Sequence, residues 1–200
     1  MAPRHLGSSE IAQALALVGE LLEGAGESYA IAIIGGAALS LLGVVERTTR
    51  DVDVLAFATR SGRRAWALTP PPRPLPVVLA DAIRTVGRDL GLAEDWLNVG
   101  PALQWKAGLP PGLVGRITWK RYRALRVGVV GRTDLVCFKL FAAADDGPEG
   151  RHARDLAALA PTDAELRQAA RWVKTQDATA EFSAIVDEVV RHVRARDGVR

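Results

Sequence analysis

The chain of 200 residues has a single cysteine, Cys137, and only three histidines, His5, His152 and His192. One cysteine excludes an internal disulfide framework and a four-cysteine zinc site, and it suits a reducing compartment. Leu135, Val136 and Phe138 around it mark a buried structural thiol. The histidines lack metal-ligand spacing: His192, late in a helical stretch, reads as solvated, and His152 as a residue able to touch a phosphate. Long apolar runs are also missing. The most apolar stretches are short and broken by Gly, Arg or Asp, so no membrane span is expected. Met1 to Gly7 lacks the apolar centre of a signal peptide. The expectation is a cytoplasmic protein with no membrane partner. One further absence is local: Pro101 to Thr133 contains no Asp or Glu.

What is present fits one compact domain or a domain with an appended lobe. Net charge is +3, so the distribution of charge matters more than its sum. A helix is expected from about Glu10, capped by Ser8 or Ser9, with Ile11, Leu15, Leu17, Val18, Leu21 and Leu22 on its apolar stripe. Tyr29–Ile34 is a continuous apolar run, the pattern of a strand covered on both faces. Gly35 and Gly36 form a turn, Ala37–Leu42 a short helix, and Val52–Phe57 the next strand. Ser61 to Pro76, with its Thr69–Pro76 run TPPPRPLP, reads as irregular. Val77–Leu90 returns to helical periodicity, and Glu94–Asn98 is a helix end or turn. Arg116–Val130 reads as a strand or hairpin. Helices follow over Leu135–Ala144, capped by Asp134, and Arg151–Leu159. The next is capped by Thr162 with Glu165 at capping-box spacing, and the last covers about Thr179–Arg194. The order implies an α/β or α+β fold, a small mixed sheet flanked by helices, with residues 1–133 as core and 134–200 as a helical lobe. Trp66, Trp96 and Trp172 read as packing residues.

The chemistry concentrates in GGAALSLLGVVERTTRDVDV, from Gly35 to Val54. Side chains alternate along a strand, so Asp51 and Asp53 share one side while Val52 and Val54 take the other. Two carboxylates so placed can converge on Mg²⁺, a hard cation that accepts one or two carboxylates and fills its shell with water and phosphate oxygens. Glycines between strand and helix let a phosphate approach the backbone. Arg47, Thr48, Thr49 and Arg50 add donors, arginine with a planar fork suited to phosphate. Each feature alone has a plain structural explanation: a steric Gly-Gly turn, or a solvated edge whose acids pair with Arg47 or Arg50. Their joint order at short spacing is far more specific.

That order resembles the signature of the nucleotidyltransferase superfamily with the polymerase-β-type fold. The branch most similar contains AbiEii-type abortive-infection toxins and related bacterial nucleotidyltransferase-like proteins. DLVCFKLFAA (Asp134–Ala143) resembles that branch's helix with a central lysine, here Lys139. RHARDLAAL (Arg151–Leu159) resembles its next acidic motif, here Asp155. The likeness extends over about residues 10 to 175. It implies a nucleotidyltransferase fold and a Mg²⁺-dependent transfer of a nucleotide from an NTP to an acceptor hydroxyl. Asp51 and Asp53 would hold metal and triphosphate. Gly35 and Gly36 would seat the β- and γ-phosphates, with Arg47 and Thr49 beside them. Lys139 would contact phosphate, and Asp155 would serve as base or orienting acid. Without the resemblance, Lys139 is equally a surface lysine and Asp155 a partner of Arg151 or Arg154. Many superfamily members carry a third carboxylate on a later strand; here Asp134 or Asp155 would have to supply it.

The acid-free stretch holds Lys106, Arg116, Lys120, Arg121, Arg123, Arg126 and Arg132, with Trp105, Trp119 and Tyr122 among them. Uncompensated cations with interleaved aromatics attract unpaired nucleic acid, whereas charge on a strand edge also serves simply to keep it soluble. Lys120 and Tyr122 share one strand face and Arg121 and Arg123 the other. Residues 104–132 thus point to an RNA or tRNA acceptor. A toxin–antitoxin or defence role, with an antitoxin or cognate protein partner, follows from the resemblance. The alternatives are an inactive binding or regulatory module on the same fold and a small-molecule adenylyltransferase.

Overall fold

The structure, a computed structural model, describes residues 5–44, 48–61, 65–101, 105 and 108–197. The elements run α1 (Ser8–Gly24), β1 (Tyr29–Ile34), α2 (Gly35–Leu41), β2 (Val52–Ser61), β3 (Ala65–Thr69), α3 (Val77–Leu90), β4 (Leu97–Asn98), α4 (Leu113–Arg116), β5 (Thr118–Tyr122), β6 (Leu125–Val129), α5 (Arg132–Asp146), α6 (Arg151–Ala158), α7 (Asp163–Val173) and α8 (Ala180–Asp197). The fold is mixed α/β, with a six-stranded mixed sheet, N-terminal helices and a helical C-terminal region. The chain divides into two compact units. One is Met1–Trp105 with Val114–Val130; the other is Lys106–Leu113 with Gly131–Arg200. Among the described residues no helix is long and apolar enough to cross a membrane.

In the first unit the strand order is β3-β2-β1-β6-β5, with β4 paired to the start of β2. β1 is parallel to β6 and antiparallel to β2. Its last four residues are buried, as expected for a continuous apolar run between two neighbours. Ala32 pairs with Ala56 but Ile33 pairs with Val54, so Leu55 is an extra residue in β2. Such a bulge shifts which side chains face each side of the sheet. It turns Asp53, the partner of Ile34, to the side that carries Ala56 and Ala58.

That side is built from small residues. Register places Ala30, Ala32, Ala56, Ala58 and Gly128 together on it. Trp66 from β3 and Trp119 from β5 approach over them from opposite edges of the sheet, and stack with centroids 4.2 Å apart. Larger central residues would leave no room for two indoles. At Gly128 even a Cβ would lie 2.9 Å from the Trp119 ring.

Several expectations change. Ser61–Pro76 is not irregular throughout: β2 continues to Ser61, and Ala65–Thr69 pairs with it as β3. The alternation Ala-Trp-Ala-Leu-Thr is overshadowed in the sequence by the prolines that follow, and only the latter stay in loop. Glu94–Asn98, expected as a helix end or turn, contributes the two-residue β4, which exists only through pairing with distant Val52 and Asp53. The cap of α1 is Gly7, whose N–H donates to Glu10 Oε2 at 3.1 Å, so Ser8 and Ser9 lie inside the helix. Asp134 sits in the first turn of α5 rather than at its cap, which is Gly131.

Residue 19 fixes α1 against the β5–β6 hairpin. A Cβ there would overlap the Tyr122 carbonyl oxygen, and the Ala124 N–H donates to the Gly19 carbonyl at 3.3 Å. In an open helix Gly→Ala gains about 1 kcal/mol. Gly19→Ala is expected instead to cost about 2 kcal/mol through overpacking, read as a lower urea midpoint with an unchanged denaturant slope.

Candidate functional site

The glycines and the aspartates meet. Asp51 and Asp53 are half-buried while Val52 and Val54 are buried, the alternation expected of strand. Gly35 ends β1 and opens α2 with φ +75°, a left-handed conformation that costs a side-chain-bearing residue about 1–2 kcal/mol. A Cβ there would also collide with Asp53 Oδ2. Thr49 approaches the next glycine: a Cβ on Gly36 would stand 2.8 Å from its hydroxyl oxygen. That hydroxyl donates to Asp51 Oδ1 at 3.3 Å. Asn98, brought by β4, donates from Nδ2 to Asp53 Oδ1 at 3.2 Å. Sequence reasoning misses Asn98, since its only signal is a long-range strand pairing.

Gly35, Gly36, Thr49, Asp51 and Asp53 therefore form one cluster, in which Thr49 orients an aspartate. Arg47 lies outside the described residues. No group of three or more His, Cys, Asp or Glu able to hold a metal occurs among the described residues, so the cluster offers two carboxylates. These are hard oxygen donors, two positions apart in the chain and partly exposed to solvent, of the kind magnesium accepts.

Lys139 and Asp155 belong to the second unit, where they find each other. Lys139 Nζ donates to Asp155 Oδ2 at 2.8 Å, with side-chain exposures of 8% and 2%. Lys139 is thus not a surface lysine, and the acid it meets on α6 is Asp155, one residue beyond Arg154. Asp134 is fully buried on α5. The capping box at Thr162 and Glu165 forms as expected. Burial works to raise the Glu165 pKa, but the Thr162 N–H and the Arg132 guanidinium, 2.9 Å away, outweigh it and hold the carboxyl below its ordinary range. Arg132 also donates to the carbonyls of Leu159 and Ala160. It is spent on structure and leaves the basic stretch.

His152, on α6, has its pKa lowered by burial first, then by the charges of Lys139 and Arg151, against the pull of Asp146 and Asp155. Its Nδ1 is buried without a partner among the described residues. Its backbone N–H donates to Asp146 Oδ2 at 3.2 Å, and this is the main cause holding the Asp146 carboxyl low. His192, expected in solvent, is mostly enclosed: its side chain is 25% exposed and its Nε2 buried. It stands on α8 beside buried Val189 and Val193, on a helix packed against α5 and α6. Cys137 is buried, as expected. Trp96 is fully buried and donates from its indole to the Ile83 carbonyl at 2.9 Å. Trp172 packs against Phe138 and Phe141.

Compared with known protein families, with curated proteins and with solved structures, the chain finds no significant match.

Removing one member of a buried ion pair leaves the other uncompensated, at a cost of about 3–5 kcal/mol. Lys139→Met is expected to fall in that range, and adding Asp155→Leu to recover most of the loss. Two independent contributions would instead add in the double variant, which denaturant unfolding measures.

The unfolded chain protonates its histidine near pH 6.5, above the folded value for His152. As pH falls through that region the unfolded state binds more protons, and stability declines. His152→Gln is expected to lessen this decline, seen as a smaller drop in unfolding free energy between about one pH unit above and one below 6.5.

Proposed function

We propose that the first unit is a nucleotidyltransferase fold of the polymerase-β type, and that it moves a nucleotide from an NTP to an acceptor hydroxyl. The reading rests on one observation: the Asp53 carboxylate packs against the Gly35 backbone, with Gly36, Thr49 and Asp51 alongside. A steric Gly-Gly turn does not call for two partly exposed carboxylates beside it. An ordinary solvated Asp pair does not call for a left-handed glycine against one of them.

Asp51 and Asp53 would hold Mg²⁺, which when bound supplies positive charge to the triphosphate oxygens. The chain's own residues set the geometry. Thr49 holds the Asp51 carboxylate and Asn98 that of Asp53. The Cβ positions of Gly35 and Gly36 are taken by Asp53 and Thr49, so the missing side chains bring these groups against the turn, and phosphate oxygens would meet the backbone N–H groups of that turn. In the transfer, an acceptor oxygen bonds to the α-phosphorus and the bond from that phosphorus to the bridging oxygen breaks. Pyrophosphate leaves, and the hydroxyl proton passes to a base. Positioning and electrostatics carry most of such a reaction. Lys139 and Asp155 belong to the second unit and hold each other there, so the reading rests on the first unit's residues alone. An RNA or tRNA acceptor and a part in a toxin–antitoxin or defence pair complete the proposal.

A non-catalytic binding module on the same fold is the second reading. The closed Lys139–Asp155 pair favours it, since each charge already satisfies the other.

The test is transfer of label from each NTP, with Mg²⁺, to total bacterial RNA. The Asp51→Asn, Asp53→Asn double variant is expected to lose at least about a hundredfold in rate. Unchanged transfer by that variant would discard the mechanism. NTP binding with no transfer to any acceptor would favour the binding module.

A further inference from the structure

A cavity of about 320 Å³ opens at the end of the sheet opposite Gly35 and Asp53. This is at the small end of the range for ligand sites, about 300–1,000 Å³. It lies at the start of β1 and β6 and toward the far ends of β2 and β5, and Arg60, Arg121, Arg123 and Arg126 line it together with Tyr29 and Trp66. Arg60 and Arg126 face the same side of the sheet as Asp53, which stands about 20 Å away along β2.

Three features are costly unless the charge is used. Arg121 and Arg126 are direct cross-strand partners, and like charges so placed destabilise a sheet. Arg126 has no hydrogen bond or ion pair among the described residues, and Arg121 gives its Nε–H to the Arg123 carbonyl at 2.8 Å. Arg123 itself occupies the first central position of the two-residue β5–β6 turn with φ +53°. Glycine or asparagine takes that conformation more cheaply, so an arginine there is a strained choice, and strain of this kind gathers at binding sites.

The carboxylates nearby do not neutralise the group. Glu23 reaches Arg123 at 3.9 Å with both side chains largely in solvent, and burial together with the Glu27 charge raises the pKa of the Tyr29 hydroxyl. The turn is also held in place rather than loose. Gly19 of α1 abuts the Tyr122 carbonyl, and the Tyr29 N–H donates to the Ala124 carbonyl at 3.2 Å. Arg60 lies over the Trp66 ring, 5.7 Å from its centroid, which fixes a fourth guanidinium at the mouth.

We propose that this arginine pocket binds the phosphodiester backbone of a single-stranded nucleic acid, at a site separate from the Asp51–Asp53 cluster. Planar guanidinium forks pair bidentately with phosphate oxygens. Arg121, Arg123 and Arg126, contributed by β5, a fixed turn and β6, exceed the charge of one phosphate and match several in succession along a strand. Both indole rings on this face are already engaged, Trp66 with Trp119 and Arg60. The site therefore reads backbone charge rather than stacked bases, and binds with little sequence preference.

The experiment is fluorescence anisotropy with a labelled single-stranded RNA oligonucleotide, titrated with full-length protein over a range of salt concentrations. Binding is expected to weaken with salt. Arg121→Gln with Arg126→Gln is expected to lower affinity at least about tenfold, and to flatten the log–log salt slope by about 0.7 for each phosphate the variant no longer neutralises. The same variant should melt no lower than the parent, since it removes a like-charge pair. Arg88→Gln, at an exposed position on α3, should bind as the parent does. The Asp51→Asn, Asp53→Asn variant should also retain binding, which separates this site from the transfer chemistry. Absence of RNA binding by the parent would overturn the proposal. So would equal weakening in Arg88→Gln, or weakening in the aspartate variant but not the arginine variant. A mononucleotide or inorganic pyrophosphate that binds at the arginines as tightly as the oligonucleotide would overturn the assignment to a strand.

Discussion

Strand β1 can end against the Asp53 carboxylate only because residue 35 carries no side chain. At φ +75° the chain turns sharply from strand into α2, and the carboxylate occupies the volume that a Cβ would fill. This packing couples the end of β1 to the beginning of β2. Thr49 and Asp51 are then drawn to Gly36, and β4 brings Asn98 to the other side of Asp53. The Leu55 bulge is part of the same arrangement. Without the extra residue, Asp53 would face the side of β2 occupied by Phe57, not the side of Ala56 and Ala58. One backbone irregularity and one missing side chain thus decide where the carboxylates stand.

The two ends of the first unit's sheet have opposite electrostatic character. Near Gly35 the polar groups are carboxylates supported by a hydroxyl and an amide. At the other end four arginines surround a cavity. Small residues, Ala30, Ala32, Ala56, Ala58 and Gly128, run between them under the stacked Trp66 and Trp119. In the second unit charge is handled differently. Lys139 and Asp155 close on one another away from solvent, and Arg132 ties Glu165 to the end of α6. Lys139 and Arg132 are paired with acids there, whereas Arg121 and Arg126 face one another across neighbouring strands at the pocket, so the pocket is the place where binding energy for an anion is available.

Much of the fold is readable from local pattern. The apolar run of β1, the stripe of α1, the helix of α3 and the capping box of α7 all depend on residues within a few positions of each other, and they form close to where expected. The carboxylate alternation at Asp51 and Asp53 is readable for the same reason. The elements that escape are those with no local reason to exist. β4 is two residues long and is held only by β2. β3 is a short amphipathic strand next to a proline run, and it pairs with the far end of β2. Lys139 looks like a surface residue in sequence because helix periodicity cannot tell a buried charge with a partner from an exposed one without it.

The sequence by itself determined the strand and helix segments dictated by periodicity, the short spacing of the Gly-Gly and Asp-x-Asp elements, and the stretch without acids. These follow from covalent order and side-chain chemistry, which folding cannot alter. Tertiary structure alone decided that Asp53 packs on Gly35, that Asn98 joins it, and that Lys139 is spent on Asp155. It alone decided that Arg60 meets Arg121, Arg123 and Arg126 across three strands. Each of these depends on the register of strands or the packing of helices far apart in the chain. Register is set by the sum of many pairings and one bulge, and no single stretch of sequence contains it.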